Sequence, residues 1–357
     1  MKRYFVGVAA AVLGSALVGL AGMQHATAAP PTTTTTVTLP LFGAPLTLDI
    51  TTGPGGNISD VTVDPADSLV ATQLKPHKVV FKSADATDAA RVVIKSKHGG
   101  QSVSVRAGSL ADFTGTPGGW RGDVFGTDAM TTVGFEVIAG ADGGPDITNI
   151  TTDDPTAEIG AVKRSSGDDD ENEQSARVSI KFTSADGSQS RTLTIKVKIE
   201  QEDEGTEAKL SISLGRIKGV ALDAAAVAGP HTWTGSLCDG TAASVAYTVA
   251  TGGAVSDVSA TPDTADVRTH DGKIVVRFSN HEWLLIKVRE HDGMIKISVM
   301  PVLKCDTGQP TVNGVDVTLP VPDDDHEGDH EGDHHDGDHD DWRFGGGDGG
   351  SGSGGGD

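Results

Sequence analysis

The stretch that starts at Leu193 reads Leu193-Thr194-Ile195-Lys196-Val197-Lys198-Ile199, with apolar and polar side chains in strict alternation. A second stretch, Val178-Ser179-Ile180-Lys181-Phe182, follows the same rule. Apolar residues at a period of two place one face of an extended strand against a core and the other face in water. Similar runs recur along most of the chain, and after the N-terminal residues only 221–228 are predicted to form a helical turn or two. The sequence therefore predicts an all-β protein.

A repeat becomes visible around the Gly-Gly turns. Each turn is followed by two apolar residues three positions apart and then by a closing proline, and the apolar pairs are Ile58/Val61, Ile147/Ile150 and Val255/Val258. An alternating strand precedes each turn, and three strand-like runs follow each proline. A Trp-x-Gly strand also precedes the second and third copies, as Trp120-Arg121-Gly122 and Trp233-Thr234-Gly235. The chain thus contains three related units.

We place the three units at residues 29–116, which begin with a Thr-rich stretch, at 117–228 and at 229–322. Units of this length with six or seven short strands are typical of immunoglobulin-like sandwiches. We therefore predict three tandem immunoglobulin-like β-sandwich modules, with closure of the strands into one larger β-structure as the alternative. Trp120 and Trp233 are predicted core anchors, and the alternative for them is an exposed carbohydrate platform.

Residues 1–28 have the order of an export signal. Lys2 and Arg3 precede an uncharged apolar run, and the small residues Ala26-Thr27-Ala28 form a cleavage site. The apolar run of about 17 residues is at the lower limit for a membrane span, so an uncleaved anchor is the alternative. We expect a cleaved signal peptide, a secreted, extracellular protein and no membrane span after cleavage.

The charge of the chain is strongly negative and unevenly placed. The sequence has 50 Asp+Glu against 28 Lys+Arg, a formal net charge of −22. A polyanion repels phosphate backbones, so we expect no nucleic-acid partner. Two insertions in the second unit, 168–173 and 200–207, and the segment 323–341 hold 21 of the acids, which leaves a nearly neutral body. We interpret both insertions as solvated hairpin loops, with weak calcium coordination as the alternative.

The two cysteines, Cys238 and Cys305, both fall in the third unit. Extracellular compartments are oxidising, so we predict a disulfide between them. A reactive thiol pair is the alternative, but the chain lacks a Cys-x-x-Cys motif and a basic neighbour of Cys238. The histidines His77, His98, His231, His270 and His291 are scattered and are predicted to lie on the surface.

The C-terminal residues 323–357 form an Asp/His/Gly-rich tail that we predict to be disordered. Neutral imidazoles bind transition metals, and flexible glycines allow several side chains to converge on one ion. We expect weak binding of Zn²⁺ or Ni²⁺ by His326, His330, His334, His335, His339, Asp329, Asp333 and Asp338. Ca²⁺ fits less well, because the loop beginning at Asp336 has Asp341 where a calcium loop needs glycine. A solubilising tail, a tag-like segment and a partner-binding segment around Trp342-Arg343-Phe344 are the alternatives.

The tail also contains two overlapping His-Glu-x-x-His patterns, His326 to His330 and His330 to His334. Glycine and repelling carboxylates disfavour the packed helix on which a zinc peptidase presents this motif. We therefore predict no enzyme, no catalytic residues and no organic cofactor. The function expected is a cell-surface or extracellular binding or structural role, with an unidentified extracellular ligand. A dedicated metal-sequestering protein is the first alternative, and an enzyme with its site between units is the second.

Overall fold

The computed structural model describes residues 23–25, 32–84, 90–97, 99–165, 173–202, 205–305, 308–317 and 319. All of them belong to one compact unit. Almost every regular element in the described part is a strand, which confirms the all-β prediction. The predicted tail, and the predicted signal peptide apart from residues 23–25, lie outside the described residues.

The first repeat contains seven strands in two consecutive groups. They are β2 (Thr33–Leu41), β3 (Ala44–Thr52), β4 (Ile58–Asp64), β5 (Leu69–Lys75), β6 (Lys78–Ser83), β7 (Ala90–Lys97) and β8 (Gly100–Ala107), after a short β1 (Met23–His25). The strands β2 to β4 form an antiparallel meander in one sheet, and β5 to β8 form a second meander in another sheet. A 3-10 turn, Pro54–Gly56, joins β3 to β4, and a 3-10 helix, Leu110–Phe113, follows β8.

The second repeat follows the same plan with longer strands. Its elements are β9 (Pro117–Asp123), β10 (Met130–Ala139), β11 (Pro145–Thr152), β12 (Glu158–Ile159), β13 (Lys163–Ser165), β14 (Glu173–Thr183), β15 (Gln189–Glu202) and β16 (Gly205–Leu214). The strands β9 to β11 form one meander, and β12, β14, β15 and β16 form the other, with β13 paired to β14. Of the two acidic insertions, residues 168–172 and 203–204 lie outside the described part.

The first two repeats share both of their sheets. Strand β2 pairs with β9, with Val37 opposite Trp120, and β8 pairs with β16, with Val105 opposite Leu210. The results are a seven-stranded sheet and a ten-stranded sheet. Apolar side chains from both repeats fill the space between the sheets in a single cluster, which includes Leu48, Phe81, Trp120, Phe135 and Phe182. We call this structure, residues 33–214, the paired lobe.

The third repeat has a core of its own. Its strands are β19 (Gly229–Ser236), β20 (Ala242–Val249), β21 (Val255–Thr261), β22 (Asp266–His270), β23 (Lys273–Arg277), β24 (Glu282–His291) and β25 (Met294–Leu303), preceded by β17 (Lys218–Gly219), β18 (Ala221–Asp223) and the short helix α1 (Ala224–Val227). Strand β1 pairs with β19, and β18 pairs with β25 at the edge of the facing sheet. Trp233, Tyr247 and Ile286 are among the side chains of a second apolar cluster. Cys305 also packs against this cluster, and we call residues 221–305 the single lobe.

The chain returns from the single lobe to the first repeat. Strand β26 (Thr311–Val312) pairs in parallel with β4, and the Val63 amide donates to Asn313 Oδ1 over 2.8 Å. Asn57 Nδ2 donates to the Cys305 carbonyl over 2.9 Å. The Gly-Gly turn of the first repeat needs glycine here, because Gly55 has a φ of +78° and a Cβ would lie 2.5 Å from the Leu303 oxygen. The two lobes therefore meet along backbone atoms.

Three separate immunoglobulin-like modules are not confirmed. In an immunoglobulin sandwich the chain crosses between sheets in a Greek key, whereas here each repeat completes three strands in one sheet before it forms four or five in the other. Alternation of side chains identifies strands and buried faces, but it does not specify which strands pair. Trp120 and Trp233 are core anchors as predicted, with 3% and 1% of their surface exposed. The predicted helical turn is α1, and no helix in the described part is long and apolar enough to cross a membrane.

Candidate functional site

All eight predicted metal ligands lie outside the described residues, so metal binding by the tail stays a prediction. They are His326, His330, His334, His335, His339, Asp329, Asp333 and Asp338. Within the part of the chain that the structure describes, no group of three or more His, Cys, Asp or Glu side chains is placed to hold a metal ion.

The predicted disulfide between Cys238 and Cys305 is confirmed, with an S–S distance of 2.08 Å and a Cα–Cα distance of 5.2 Å. Cys238 follows β19, and its amide donates to the Glu282 carboxylate on β24 over 2.5 Å. Cys305 follows β25, at the point where the chain turns back toward the first repeat. The bridge therefore ties both sheets of the single lobe to the returning segment.

The most distinctive surface is the outer face of the ten-stranded sheet. Strict alternation builds this face, because Val79 and Phe81 of β6 point into the core and Lys78 and Lys82 point away from it. The same alternation applies along β7, β8 and β14 to β16. We call the outward side chains of β5 to β8 and β12 to β16 the basic face.

The strand register aligns cations of neighbouring strands into rows. The longest row runs Lys82, Arg91, Arg106, Lys209 and Lys198, each directly opposite the next. A second row on β5 to β7 contains Lys75, Lys78 and Lys95. A third, on β13 to β15, contains Lys163, Arg177 and Lys196. Neighbouring strands lie about 4.8 Å apart, so these rows are closely spaced series of positive charge.

The basic face has a charge opposite to that of the whole chain. Among the side chains described, it holds twelve Lys and Arg residues, which are the eleven of the three rows and Lys181. The acids described on it are Glu158, Glu173, Glu200 and Glu207. The chain as a whole has 28 Lys and Arg residues against 50 acids, so the sheet concentrates cations on one surface.

The acids occupy one end of the basic face. Lys198 Nζ lies 2.6 Å from Glu173 Oε2 and also pairs with Glu200, and Arg106 lies 3.3 Å from Glu207. Burial acts to lower the pKa of Lys198, but its hydrogen bonds to the two glutamates outweigh that effect and raise it. The opposite end, on β5 to β7, has no acid among its described outward side chains.

Hydroxyl groups lie between the charged ends of the basic face. Ser104 is opposite Ser211, and Ser102 is opposite Ser213, which is in turn opposite Thr194. Val80 and Val93 form the neighbouring part of the face on β6 and β7, and Val80 is only 3% exposed although it faces away from the core. The described side chains of the face include no aromatic ring.

Two arginines of the paired lobe have structural roles. Arg191 on β15 donates from Nε to the Gly215 carbonyl over 2.7 Å, from Nη1 to the Val124 carbonyl over 2.6 Å, and from Nη2 to the Gly99 carbonyl. Burial lowers the pKa of Arg191 to about 10, so it stays charged at neutral pH. Because Gly99 belongs to the first repeat, this one side chain joins the two repeats.

The second arginine, Arg164 on β13, forms a two-pronged bond with Asp146 on β11, with N–O distances of 3.1 and 2.6 Å. Asp146 is buried, with 7% of its surface exposed. The hydrogen bond from Arg164 is the main cause that holds the pKa of Asp146 below its usual value. The pair links the seven-stranded sheet to the ten-stranded sheet.

His231 was predicted on the surface, and this prediction is wrong because its side chain is 2% exposed. Its ring stacks on Tyr247, with centroids 5.4 Å apart, and its Nε2 lies 2.7 Å from the Val227 carbonyl oxygen. The position of His231 two residues before Trp233 on a Trp-x-Gly strand already placed it on the buried face. Burial also raises the pKa of Tyr247.

No protein-family model, curated protein or solved structure matches this chain. The basic face was missed at the level of sequence, although its signal, lysine on the polar side of the alternating strands, was present. The missing information was the register between β8 and β16, which brings cations of two repeats into one row.

Proposed function

We propose that the chain is an exported, non-enzymatic β-repeat protein with a cell-surface or extracellular binding or structural role. The observation that carries the binding role is the basic face, a broad array of cations in a chain whose net charge is −22. The disulfide supports the extracellular part of the proposal, because such bonds persist in oxidising compartments. The repeated meanders supply a rigid platform on which large surfaces can be displayed.

Export is tested by mass spectrometry of the N-terminus of the mature protein from its native host. We expect the chain to begin at Ala29, after the small residues Ala26-Thr27-Ala28. A mature chain that retains Met1 would contradict cleavage and would favour the uncleaved anchor.

We further propose that the tail binds Zn²⁺ or Ni²⁺ weakly through its histidines. Five histidines alternate with carboxylates over residues 323–341, and imidazole together with carboxylate suits these ions. The alternative function, dedicated metal sequestration with the β repeats as a carrier, rests on the same segment. Removal of the tail discriminates the two, because a sequestering protein loses its activity and a binding protein keeps its partner.

The test is calorimetric titration of zinc, nickel and calcium into the mature protein at about pH 7.5 and about pH 5.5, on either side of about 6.5, the pKa of free histidine. In one variant the five tail histidines are changed to asparagine. In the matched variant Asp329, Asp333 and Asp338 are changed to asparagine. We expect zinc or nickel heat at the higher pH, largely lost in the histidine variant. Equal affinity at both pH values, or heat lost only in the aspartate variant, would contradict histidine ligation.

A further inference from the structure

We propose that the basic face binds a linear anionic polysaccharide, with its carboxylate-bearing sugars laid across the strands. The proposal names a partner for the extracellular binding role and so rests on the proposed function above. It is carried by the alignment of like charges, by their spacing and by the chemistry of the side chains between them.

Like charges directly opposite one another destabilise a sheet. In the row from Lys82 to Lys198, glutamates already pair with Arg106 and Lys198. The row of Lys75, Lys78 and Lys95 also places cations directly opposite one another, and no outward side chain described on β5 to β7 is acidic. An anionic partner relieves the repulsion within this second row, so that a feature that is unfavourable for folding becomes favourable for binding.

The rows run across the strands at about 4.8 Å per strand, so the row of Lys75, Lys78 and Lys95 spans about 10 Å. Ser102, Ser213 and Thr194 continue this row on the next three strands. A compact anion contacts one or two of these groups, whereas a linear polymer with one charge on each sugar, a repeat of similar length, contacts them in succession. The alignment of cations and hydroxyl groups from both repeats in one row therefore favours a polymer over a small ligand.

The rest of the face fits sugar hydroxyls. Ser102, Ser104, Ser211, Ser213 and Thr194 offer both donors and acceptors beside the cations. Single-stranded nucleic acid binds with its bases stacked on aromatic rings, and the described side chains of the face include none. The chemistry therefore favours an acidic polysaccharide over a nucleic acid.

The test measures binding of the full mature chain to polygalacturonate at about 50 mM salt, where electrostatic association is strong, with EDTA present to remove metal bridges. The test variant carries Lys78→Glu with Lys95→Glu, which are opposite each other on β6 and β7, where no described outward side chain is acidic. The matched control carries Arg289→Glu with Lys296→Glu, an exposed cross-strand pair on the outer face of the single lobe. Both variants change the net charge equally.

We expect the dissociation constant to rise at least about tenfold in the test variant and less than about twofold in the control, and the dependence of log K on log salt to flatten only in the test variant. A milder variant, Lys78→Gln with Lys95→Gln, has an intermediate effect and keeps the test valid if charge reversal prevents folding. Unfolding midpoints confirm that each variant is folded.

Three results would overturn the proposal: no binding by the unaltered protein, equal losses in the test and control variants, or equal affinity for neutral dextran. Single-stranded DNA bound as tightly as polygalacturonate would reassign the face to nucleic acid. Zinc titration of the same samples separates this proposal from the previous one. Zinc binding without polysaccharide binding would leave the metal-binding tail intact as a proposal and remove only the partner named here.

Discussion

The paired lobe and the single lobe are built from the same repeat and differ in how their sheet edges are covered. In the paired lobe, β8 and β16 cover each other over seven residue pairs, from Ala107↔Ala208 to Gln101↔Leu214. In the single lobe, β25 is covered by the three-residue β18. The three-residue β1 pairs with β19, but β1 lies within residues 1–28, which the proposed cleavage removes. An open edge invites pairing with other chains. The first two repeats therefore cover the edges of β8 and β16 with each other, whereas the third repeat covers β25 with a short segment.

The difference extends to the cores. One cluster of apolar side chains serves both repeats of the paired lobe, whereas the third repeat fills its core alone. The buried fraction of a protein rises with its size, and small domains commonly need a disulfide or another covalent constraint. Only the single lobe has a disulfide, and that is the lobe with less core. The disulfide thus compensates for the small core of the single lobe, whereas in the paired lobe each repeat shares a core with the other.

The largest expected effect follows from removal of the bridge with Cys238→Ser and Cys305→Ser. The two residues are 67 positions apart, and closing a loop of that length contributes about 4 kcal/mol in the chain-entropy estimate. We expect a separate, early unfolding transition of the single lobe in calorimetry. The transition of the paired lobe should remain within the error of the measurement.

The matched measurement is the tryptophan emission of each lobe, with Trp120 as the buried reporter of one and Trp233 of the other. Single-tryptophan backgrounds separate the two signals. If the emission of both tryptophans changes at the same temperature after loss of the disulfide, the two lobes unfold as one unit. The disulfide then does not stabilise the single lobe alone.

The second effect concerns the joint between the first two repeats. Arg191→Met removes three hydrogen bonds from a charged donor to the carbonyls of Gly215, Val124 and Gly99. Because the acceptors lose their partner and the methylene stem is kept, we expect a loss of about 2–3 kcal/mol in the paired lobe. Urea unfolding followed through Trp120 measures it.

The control for this variant is Arg289→Met, a change of the same type at an exposed position of the single lobe. It should leave the free energy of unfolding of both lobes within about 0.5 kcal/mol. A similar loss from both variants would mean that Arg191 contributes general surface charge and not a specific connection between repeats.

Much of this fold is predictable from the alternation of side chains. The strands, the buried faces, Trp120, Trp233 and the disulfide are all as predicted from sequence. The merging of the first two repeats is not, because the same alternating pattern is satisfied whether β8 ends a sheet or pairs with β16. Pairing depends on backbone edges, and the side-chain pattern carries little information about them.

The basic face, too, is only partly predictable from the sequence. The lysines on the polar side of β14 and β15 are evident in the sequence, yet each is unremarkable when considered alone. Only the register places Arg106 opposite Lys209 and extends the row of cations across two repeats. A row across strands is a property of tertiary structure, and residues far apart in sequence, such as Arg106 and Lys209, contribute to it.

The smallest effect concerns pH and the Asp146–Arg164 pair, which links the two sheets of the paired lobe. The pKa of Asp146 is held below its unfolded value, mainly by the hydrogen bond from Arg164. The stability it contributes is therefore present above the unfolded pKa of about 3.9 and is lost as the pH falls through the lower folded value. Since the Arg164 side chain is 60% exposed, solvent limits the contribution to at most about 1 kcal/mol.

We therefore expect Asp146→Asn to lower the urea midpoint of the paired lobe at pH 6, and the difference from the unaltered protein to shrink as the pH falls below about 4. Asp266→Asn is the control in the single lobe, where Asp266 and Arg268 pair at 2.9 Å with both side chains more than half exposed. That variant should show no measurable change at either pH. A constant deficit for Asp146→Asn across the whole range would trace its effect to packing instead of charge. In that case the charge of the Asp146–Arg164 pair would not contribute to holding the two sheets of the paired lobe together.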